Sequence, residues 1–372
     1  MQIQSKYRLL VVRLGAMGDI LHALPAVTAL RQAHPGWIID WVVEPSWCAL
    51  LTANCDAAKA ESFGTIVGPS WEGNPALSPA QPVVNRIHLA PTKAWRHDPL
   101  SAKTRMEISA LRRGLRQCGY DAVLDFQGAA RSAAVAAMTG CRRRIGESRP
   151  REWAARWLYT ERVITHGVHV IEQDMELAAV VAGDNLAPVQ PSLPVDCEAD
   201  AWCDPILPRR AGVQAVLLNP GAGWGAKRWP VERYAAVATE LSKRGMRVLL
   251  NAGPGEELIA ESIRDQSGGA ALPVHCSVAQ LIALTRRVAL VIAGDTGPLH
   301  LACALGRPVV GIYGPTDPAR NGPFGTRSRV LRSPSSRRDH SRRPEPEAGL
   351  LTITPEAVLQ AAGELLAEAP VS

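Results

Sequence analysis

Residues 289–318 decide the fold, and they read ALVIAGDTGPLHLACALGRPVVGIYGPTDP. The apolar run at 288–293 is short enough to predict a buried strand. Residues 299–305 predict a helix, and residues 308–313 predict a second buried strand. The stretch is therefore a strand–loop–helix–strand unit. Its polar loop at 294–298 follows the first strand, which is where open α/β sheets bind ligands.

The polar loop of this unit suits a phosphate group. It offers backbone N–H groups and the start of a helix, and both attract anions. Asp295, Thr296 and His300 add side chains that can bind or titrate. An ordinary turn in which Asp295 or Thr296 caps the helix explains the same residues. The loop alone therefore leaves both interpretations open.

Composition limits the class of protein. The chain has 372 residues, too many for one ordinary domain and suited to two. A net charge of +6 indicates acidic partners, such as a nucleotide, phosphate, nucleic acid or anionic membrane, without selecting among them. The eight cysteines form no C-x-x-C pair, which favours reduced thiols in the core. We expect neither a signal peptide nor a membrane-spanning helix, because no apolar segment reaches ~20 residues.

Strand and helix patterns alternate through both halves of the chain. This alternation predicts an α/β protein with two Rossmann-like domains, whose mostly parallel sheets face a central ligand cleft. A proline-rich segment at 186–194 marks the boundary between them. We therefore expect an N-terminal domain at 1–187 and a C-terminal domain at 188–372. The last helix, at 355–368, is a candidate to pack back on the N-terminal domain.

The N-terminus also begins as a strand, loop and helix. Residues 9–13 predict a buried strand, residues 14–19 read LGAMGD, and residues 20–32 predict a helix. The dinucleotide fingerprint G-x-G-x-x-G is absent, which disfavours an NAD-dependent oxidoreductase. Asp19 stands at the start of the helix. It is predicted either to cap the helix or to project a carboxylate that the helix dipole holds ionised.

The C-terminal half collects several groups that suit a nucleotide. Residues 221–225 form a glycine-rich loop after a predicted strand, and Lys227 brings a positive charge beside it. Glu256 lies in another loop at a strand end, where a carboxylate can accept hydrogen bonds from a ribose diol. With the loop at 294–297, three loops at strand ends carry groups that suit a nucleotide, which indicates a nucleotide site more strongly than any one loop does. The sequence shows no Walker P-loop and no D-x-D cluster of a metal–diphosphate site.

Two stretches of the N-terminal half are strongly basic, at 86–116 and at 141–162. The first is typical of a solvated helix face. The second has seven arginines against three glutamates and places Trp153, Trp157 and Leu158 on one face of a predicted helix. That pattern resembles a helix at a membrane interface. Packing of the Trp face on its own domain is favoured, because amphipathic helices mostly bury their apolar face.

Two further segments are rich in Pro, Gly, Ser or Arg. Residues 62–91 predict an irregular insertion with one short strand at 83–89. Residues 327–346 predict a mobile loop.

Six segments stand in order along nearly the whole chain: RLGAMGDILHALP at 13–25, DFQGAARS at 125–132, KRWP at 227–230, GDTGPLH at 294–300, YGPTDP at 313–318 and LTITPEAV at 351–358. These segments resemble the motifs of glycosyltransferase family 9, the ADP-heptose:lipopolysaccharide heptosyltransferases. Two more segments, DWVVE at 40–44 and HVIEQDMEL at 169–177, are more similar to heptosyltransferase I, which adds the first heptose, than to heptosyltransferase II.

The resemblance implies a GT-B fold and an inverting transfer of L-glycero-D-manno-heptose from ADP-heptose to the Kdo of the lipopolysaccharide inner core. It implies a Kdo-lipid A type acceptor, an anionic inner-membrane surface as partner, and no nucleic acid. It also implies no cofactor and no essential metal. The enzyme would then be cytoplasmic and peripheral on the cytosolic face of the inner membrane. The alternatives are a non-catalytic nucleotide-binding protein and a related transferase with another donor or acceptor.

The resemblance also assigns roles to individual residues. Asp19 matches the general base, which takes the proton of the attacking hydroxyl. Lys227 would neutralise charge on the leaving diphosphate. His300 would line the phosphate pocket or pack the start of its helix, and Asp295 would contact the heptose or the phosphate loop. The implied donor site comprises Gly223, Lys227, Glu256, Asp295, Thr296, Gly297 and His300. The implied acceptor site comprises Gly18, Lys93, Arg96, Gln127 and Arg131.

Overall fold

A computed structural model describes residues 6–53, 55, 64–67, 78–207, 214–338 and 343–368 of the chain. The chain divides into two compact units, Met1–Val195 and Asp196–Ser372. The division falls a few residues after the boundary predicted from the proline-rich segment. We call these the N-terminal and C-terminal units.

The N-terminal unit is built on a seven-stranded sheet with the order β3-β4-β2-β1-β5-β6-β7. Its strands are parallel except β3, which runs antiparallel to β4. The strands are β1 (Arg8–Val12), β2 (Ile38–Val43), β3 (Gly64–Val67), β4 (Arg86–Leu89), β5 (Ala122–Asp125), β6 (Arg144–Glu147) and β7 (Glu161–Val163).

Helices pack against this sheet. Helices α1 and α5 pack on each other. Side chains of α3 enter a core cluster with β1, β2 and β5. The helices are α1 (Met17–Ala33), α2 (Thr92–His97), α3 (Ala102–Cys118), α4 (Ala130–Met138) and α5 (Val170–Ala182), with 3-10 helices at Pro45–Leu50 and Trp153–Leu158.

The C-terminal unit has a six-stranded, fully parallel sheet with the order β10-β9-β8-β11-β12-β13. Its strands are β8 (Ala215–Asn219), β9 (Arg247–Asn251), β10 (Ala271–Val274), β11 (Leu290–Gly294), β12 (Val309–Tyr313) and β13 (Ser328–Arg332). Its helices are α6 (Cys197–Cys203), α7 (Val231–Lys243), α8 (Glu257–Gln266), α9 (Val278–Thr285), α10 (Gly297–Ala304), α11 (Pro318–Asn321) and α12 (Pro355–Ala367), with 3-10 helices at Gly225–Lys227 and Leu350–Thr352.

The stretch at 289–318 folds as its pattern predicts, into β11, α10 and β12. Both strands are fully buried, as expected for central strands of a parallel sheet. Gly306 follows the helix with a positive φ of 66°, which favours glycine and ends the helix. Two mainly parallel α/β units confirm the predicted fold class.

The prediction of a mobile loop at 327–346 is wrong for its first part, which forms the edge strand β13. The arginines there are bound by the end of α12. Arg329 contacts Glu364 at 2.8 Å and Glu368 at 2.5 Å, and Arg327 donates to the Glu368 carbonyl at 2.8 Å. Neutralised in this way, an arginine-rich strand can pair with β12. Residues 339–342 lie outside the described part of the chain.

The apolar face of α12 enters the core of the C-terminal unit through Val358, Ala362 and Leu365. This apolar face of α12 is therefore buried within the C-terminal unit. Packing of α12 on the N-terminal unit stays a prediction.

The insertion predicted at 62–91 contains two strands, β3 and β4, where the sequence predicted one. Strand β3 has four residues and pairs antiparallel with β4 at the edge of the sheet that the structure describes. A strand this short gives little periodicity by which to predict it. Most of residues 62–77 lies outside the described residues. The cysteines differ from prediction at one place, because Cys48 and Cys55 form a disulfide with their Cα atoms 5.9 Å apart. Among the helices the structure describes, none combines the length and apolar character needed to span a bilayer.

Candidate active site

The topological switch point of the C-terminal sheet lies between β8 and β11. From β8 the chain moves outward to β9 and β10, and it then returns to β11 on the other side. Ligands of open α/β sheets bind at such a point, outside the carboxyl ends of the strands. The loops at 219–227 and 294–297 leave these two strand ends.

Lys227, Asp295 and His300 meet at this switch point. Lys227 Nζ lies 2.6 Å from Asp295 Oδ2 and also donates to the Asp295 carbonyl at 3.3 Å. His300 Nε2 lies 3.1 Å from Asp295 Oδ1. Burial alone would raise the pKa of Asp295, but the hydrogen bond from His300 and the charge of Lys227 outweigh it and hold that pKa well below its ordinary value. Asp295 is thus a fixed carboxylate that positions a cation.

Helix α10 begins directly behind this pair. Thr296 occupies its N-cap position, with its side chain turned back to the Gly294 carbonyl at 3.3 Å. Gly297 is the first helical residue. The opening N–H groups of a helix have no partner within the helix, and the dipole makes this end positive. Lys227 and the start of α10 therefore place a cation beside N–H groups that have no partner within the helix, and binding of an anion there stays a prediction.

Glu256 connects the loop after β9 with the glycine-rich loop after β8. It stands at the N-cap of α8, and its Oε2 accepts the Gly253 N–H at 2.9 Å. Its carboxylate lies so close to Gly221 that a β-carbon there would collide with it. The glycine-rich loop thus needs Gly221 so that Glu256 can approach. Gly223 is exposed in the same loop, and an added β-carbon there would meet nothing within 4 Å.

The N-terminal sheet has its own switch point, between β1 and β5, and Asp19 lies there. The chain runs from β1 to β2 on one side and reaches β5 on the other. Asp19 is in the first turn of α1, with its side chain 35% exposed. Its Oδ1 lies 3.1 Å from Arg13 Nη2, and its Oδ2 accepts the Ala16 N–H at 2.9 Å. The carboxylate is therefore both held in place and open to solvent.

The predicted acceptor residues fall into two groups. Gln127 is buried, and its Oε1 accepts the Leu14 N–H at 2.8 Å, so it fixes the loop that leads to Asp19. Gly18 is next to Asp19 in α1. The exposed members are Arg131, in the first turn of α4 after β5, and Lys93 and Arg96 on α2.

Two residues of the N-terminal site were not predicted as functional. Arg13 ends in contact with both Asp19 and the Phe126 carbonyl. Asp125 is fully buried and accepts hydrogen bonds from Ser132 and Tyr159, each at 2.8 Å. A sequence signal was available for both, because Arg13 directly follows β1 and Asp125 ends β5. Both residues also lie in segments that carry the family resemblance, 13–25 and 125–132.

Asp174 of α5 is a third unpredicted residue. Its carboxyl is buried, and its Oδ2 has no hydrogen-bond partner in the described part of the chain. Burial raises its pKa to about 8; the charge of Arg13 lowers it, and those of Asp19 and Glu147 raise it further. The sequence could not predict this burial, because Asp174 lies in the middle of a helix and nothing in the segment HVIEQDMEL indicates that it is buried near Arg13.

Asp174→Asn should change the pH dependence of stability. A carboxyl whose folded pKa lies above its unfolded value costs stability as pH rises from about 4 to about 8. We therefore expect the free energy of unfolding of the variant to exceed that of wild type by about 5 kcal/mol at pH 8, with little difference near pH 4. Urea unfolding at both pH values measures this, with the exposed Asp184→Asn as control. Parallel pH profiles would contradict it.

One group of metal-ligand types lies among the described residues, formed by Asp40, His88 and Cys118. Tyr120 donates to Asp40 at 2.8 Å and lies 2.9 Å from His88 Nε2. Arg86 Nη1 donates to Cys118 Sγ at 3.4 Å. These atoms thus form a hydrogen-bonded network that joins β2 and β4 to the end of α3.

A model of the family described as glycosyltransferase family 9 (heptosyltransferase) matches residues 108–350, which include the Lys227 and Asp295 site. The chain belongs to glycosyltransferase family 9. As a family 9 glycosyltransferase, it is 31% identical to lipopolysaccharide heptosyltransferase 1 of Escherichia coli K12 over 331 residues, which cover 88% of this chain and 94% of that protein. It is also 32% identical to lipopolysaccharide heptosyltransferase 2 of Salmonella typhimurium, but that match covers only 40% of this chain and 46% of that protein. The predicted similarity to heptosyltransferase I is confirmed.

Solved structures agree with this placement. E. coli heptosyltransferase WaaC with ADP-2-deoxy-2-fluoro heptose is 29% identical and superposes with a TM-score of 0.72, covering 96% of this chain and 99% of that chain. E. coli ADP-heptose lps heptosyltransferase II is 22% identical and superposes with a TM-score of 0.72 over 96% and 98% of the two chains, which shows the shared fold.

Proposed function

We propose that this family 9 glycosyltransferase transfers L-glycero-D-manno-heptose from ADP-heptose to the Kdo of the lipopolysaccharide inner core, with inversion. The observation that carries the proposal is the Lys227–Asp295–His300 group beside the start of α10, which provides a fixed positive site at a switch point. The WaaC structure with an ADP-heptose analogue supports the choice of donor.

The C-terminal unit would hold the donor. The diphosphate binds the N–H groups of Thr296 and Gly297, and Lys227 offsets the charge that grows on it as the bond to the sugar breaks. Asp295 keeps Lys227 in place, and His300 keeps Asp295 in place. The Glu256 carboxylate accepts hydrogen bonds from the ribose hydroxyls, and the exposed loop around Gly223 leaves room for the nucleotide.

The N-terminal unit would act on the acceptor. Asp19 takes the proton of the Kdo hydroxyl as the hydroxyl oxygen attacks the anomeric carbon, and ADP leaves from the opposite face. Arg13 and the Ala16 N–H hold the carboxylate during this step. Gly18 lets the acceptor approach the start of α1, Gln127 holds the Asp19 loop, and the exposed Lys93, Arg96 and Arg131 bind the acceptor's anionic groups.

Because the proposed acceptor, a Kdo-lipid A type molecule, is a membrane lipid, we place the enzyme in the cytoplasm, peripherally on the cytosolic face of the inner membrane. A panel of nucleotide sugars tests the donor assignment. Purified protein and the Kdo-lipid acceptor should give a product by mass spectrometry with ADP-heptose and little with UDP- or GDP-sugars. Transfer from another nucleotide sugar alone would favour a related transferase, and ADP binding without any transfer would favour a non-catalytic nucleotide-binding protein.

Transfer should survive chelation of divalent cations. Lys227 and the start of α10 already supply the positive charge that a metal would bring to the diphosphate. We expect the initial rate with EDTA to stay within about twofold of the untreated rate, since protein groups carry this role. Loss of activity with EDTA, restored by Mg²⁺, would contradict this.

A further inference from the structure

The segment at 149–168 of the N-terminal unit exposes large apolar side chains. Trp153 is 59% exposed, Trp157 71%, Ile164 67% and Val168 65%. The favoured prediction, that the face of Trp153, Trp157 and Leu158 packs on its own domain, is therefore wrong for the two tryptophans and holds for Leu158 alone.

The geometry of the 3-10 helix Trp153–Leu158 explains the exposure. In such a helix residues three apart line up along one edge. Ala155 and Leu158 form the edge that packs toward α4, where they cluster with Ala133 and Tyr159. Trp153 and Arg156 share a second edge, with the guanidinium 4.6 Å from the indole ring centre. Trp157 lies on the remaining edge and faces solvent.

The arginines around these tryptophans keep their charge available. Arg149, Arg151, Arg156 and Arg162 make no salt bridge within the described residues. The neighbouring acids are already engaged. Glu161 is bound by Arg143 at 2.9 Å, and Glu152 accepts the Ala130 N–H at the start of α4, also at 2.9 Å. The segment thus combines exposed indoles with an excess of positive charge, since these four arginines outnumber the one exposed carboxylate of Glu152, which pairs with no arginine in the part of the chain that the structure describes.

The backbone beneath this surface is fixed. Tyr159 donates to buried Asp125 at 2.8 Å, and the Glu152 N–H donates to the Gly128 carbonyl at 2.8 Å. Thr160 N–H donates to the Arg144 carbonyl at 2.9 Å. The exposed indoles are therefore carried on a rigid support, and binding through them costs little ordering of the chain.

We propose that this surface, which we call the Trp–Arg surface (Trp153, Trp157 and the arginines 149, 151, 156 and 162), docks on an anionic lipid bilayer. Indole rings favour the boundary between headgroups and acyl chains, because they are apolar with one polar N–H. Arginines beside them bind lipid phosphates. The inference rests on the proposed function, whose acceptor is itself a membrane lipid. It adds where the protein meets the membrane.

Vesicle flotation tests the surface with the full-length protein. We expect it to float with phosphatidylcholine–phosphatidylglycerol vesicles at low salt, and to float much less with phosphatidylcholine alone or at high salt. Trp153→Ala with Trp157→Ala, and separately Arg149→Glu with Arg162→Glu, should each lower the vesicle partition coefficient at least about tenfold. The controls are Leu258→Ala, an exposed apolar side chain of the C-terminal unit, and Arg112→Glu with Arg113→Glu on the exposed face of α3. Each control should stay within about twofold of wild type.

Two further measurements separate the outcomes. The Trp variant should keep wild-type transfer to a delipidated, water-soluble Kdo acceptor and lose transfer to the same acceptor embedded in vesicles. Wild-type vesicle binding by the Trp and Arg variants would overturn the docking surface while leaving the proposed transfer intact. Docking without transfer from any donor would overturn the proposed function alone. If the Trp variant changes only the oligomeric state in gel filtration, the surface covers a second copy and the membrane proposal is wrong.

Discussion

Asp19→Ala should lower the turnover of heptosyl transfer by about 10²–10⁴-fold and leave ADP binding unchanged. The carboxylate is the proposed proton acceptor at the N-terminal switch point, whereas the ADP-binding groups belong to the C-terminal unit. Time-course assays with ADP-heptose and the Kdo-lipid acceptor measure the rate of transfer, and isothermal titration calorimetry measures the affinity for ADP.

Asp19→Asn separates catalysis from helix capping. The amide oxygen can still accept the Ala16 N–H, so the cap at the start of α1 should be kept, although the ion pair with Arg13 is lost. The amide cannot take a proton from the acceptor, so transfer should fall as it does in the Ala variant. Asp184→Ala, an exposed Asp of the same unit, is the matched control. Full activity in either Asp19 variant would remove the residue from the base role.

Lys227→Met should lower kcat/KM for ADP-heptose by about 10²–10³-fold, because it removes a preorganised positive charge at the leaving diphosphate. It should also destabilise the C-terminal unit by about 3–5 kcal/mol, since Asp295 is left buried without its cation. Activity assays and urea unfolding measure the two effects.

The double variant Lys227→Met with Asp295→Asn distinguishes the two roles of Lys227. Removing the buried carboxylate should restore most of the stability without restoring transfer. The wild-type pair should contribute stability above the ordinary pKa of Asp, and this contribution should be lost as pH falls below about 4, because the folded pKa of Asp295 is lowered. The double variant should lack that acid-dependent loss. Recovery of transfer in the double variant would show that Lys227 acts only through folding.

Periodicity and spacing were sufficient for the parts of the fold that are buried on both faces. The strands β11 and β12 are continuous apolar runs, and such runs predict central strands of a parallel sheet. The loop after β11 and Asp19 after β1 were singled out by the rule that ligands of open α/β sheets bind at the carboxyl ends of strands. Lys227 and Asp295 were each predicted as site residues, but their contact was not predicted, because 68 positions separate them along the chain.

What the sequence could not predict depends on partners distant along the chain. Strand β13 is arginine-rich and forms because carboxylates of α12 neutralise it. The burial of Asp174 follows from the packing of α5 on α1, which no local pattern encodes. The tryptophans at 153 and 157 share one face on an α-helix, but the chain there folds as a 3-10 helix and turns them outward.

The central claim is tested most directly by the mass of the acceptor after incubation with ADP-heptose and the wild-type protein. Two acceptors, Kdo-lipid A and lipid A without Kdo, should be compared in the same reaction. Our proposal predicts that Kdo-lipid A gains one heptosyl unit and that the Kdo-free lipid stays unchanged. Equal transfer to both lipids, or release of ADP with no change in the mass of either, would contradict it.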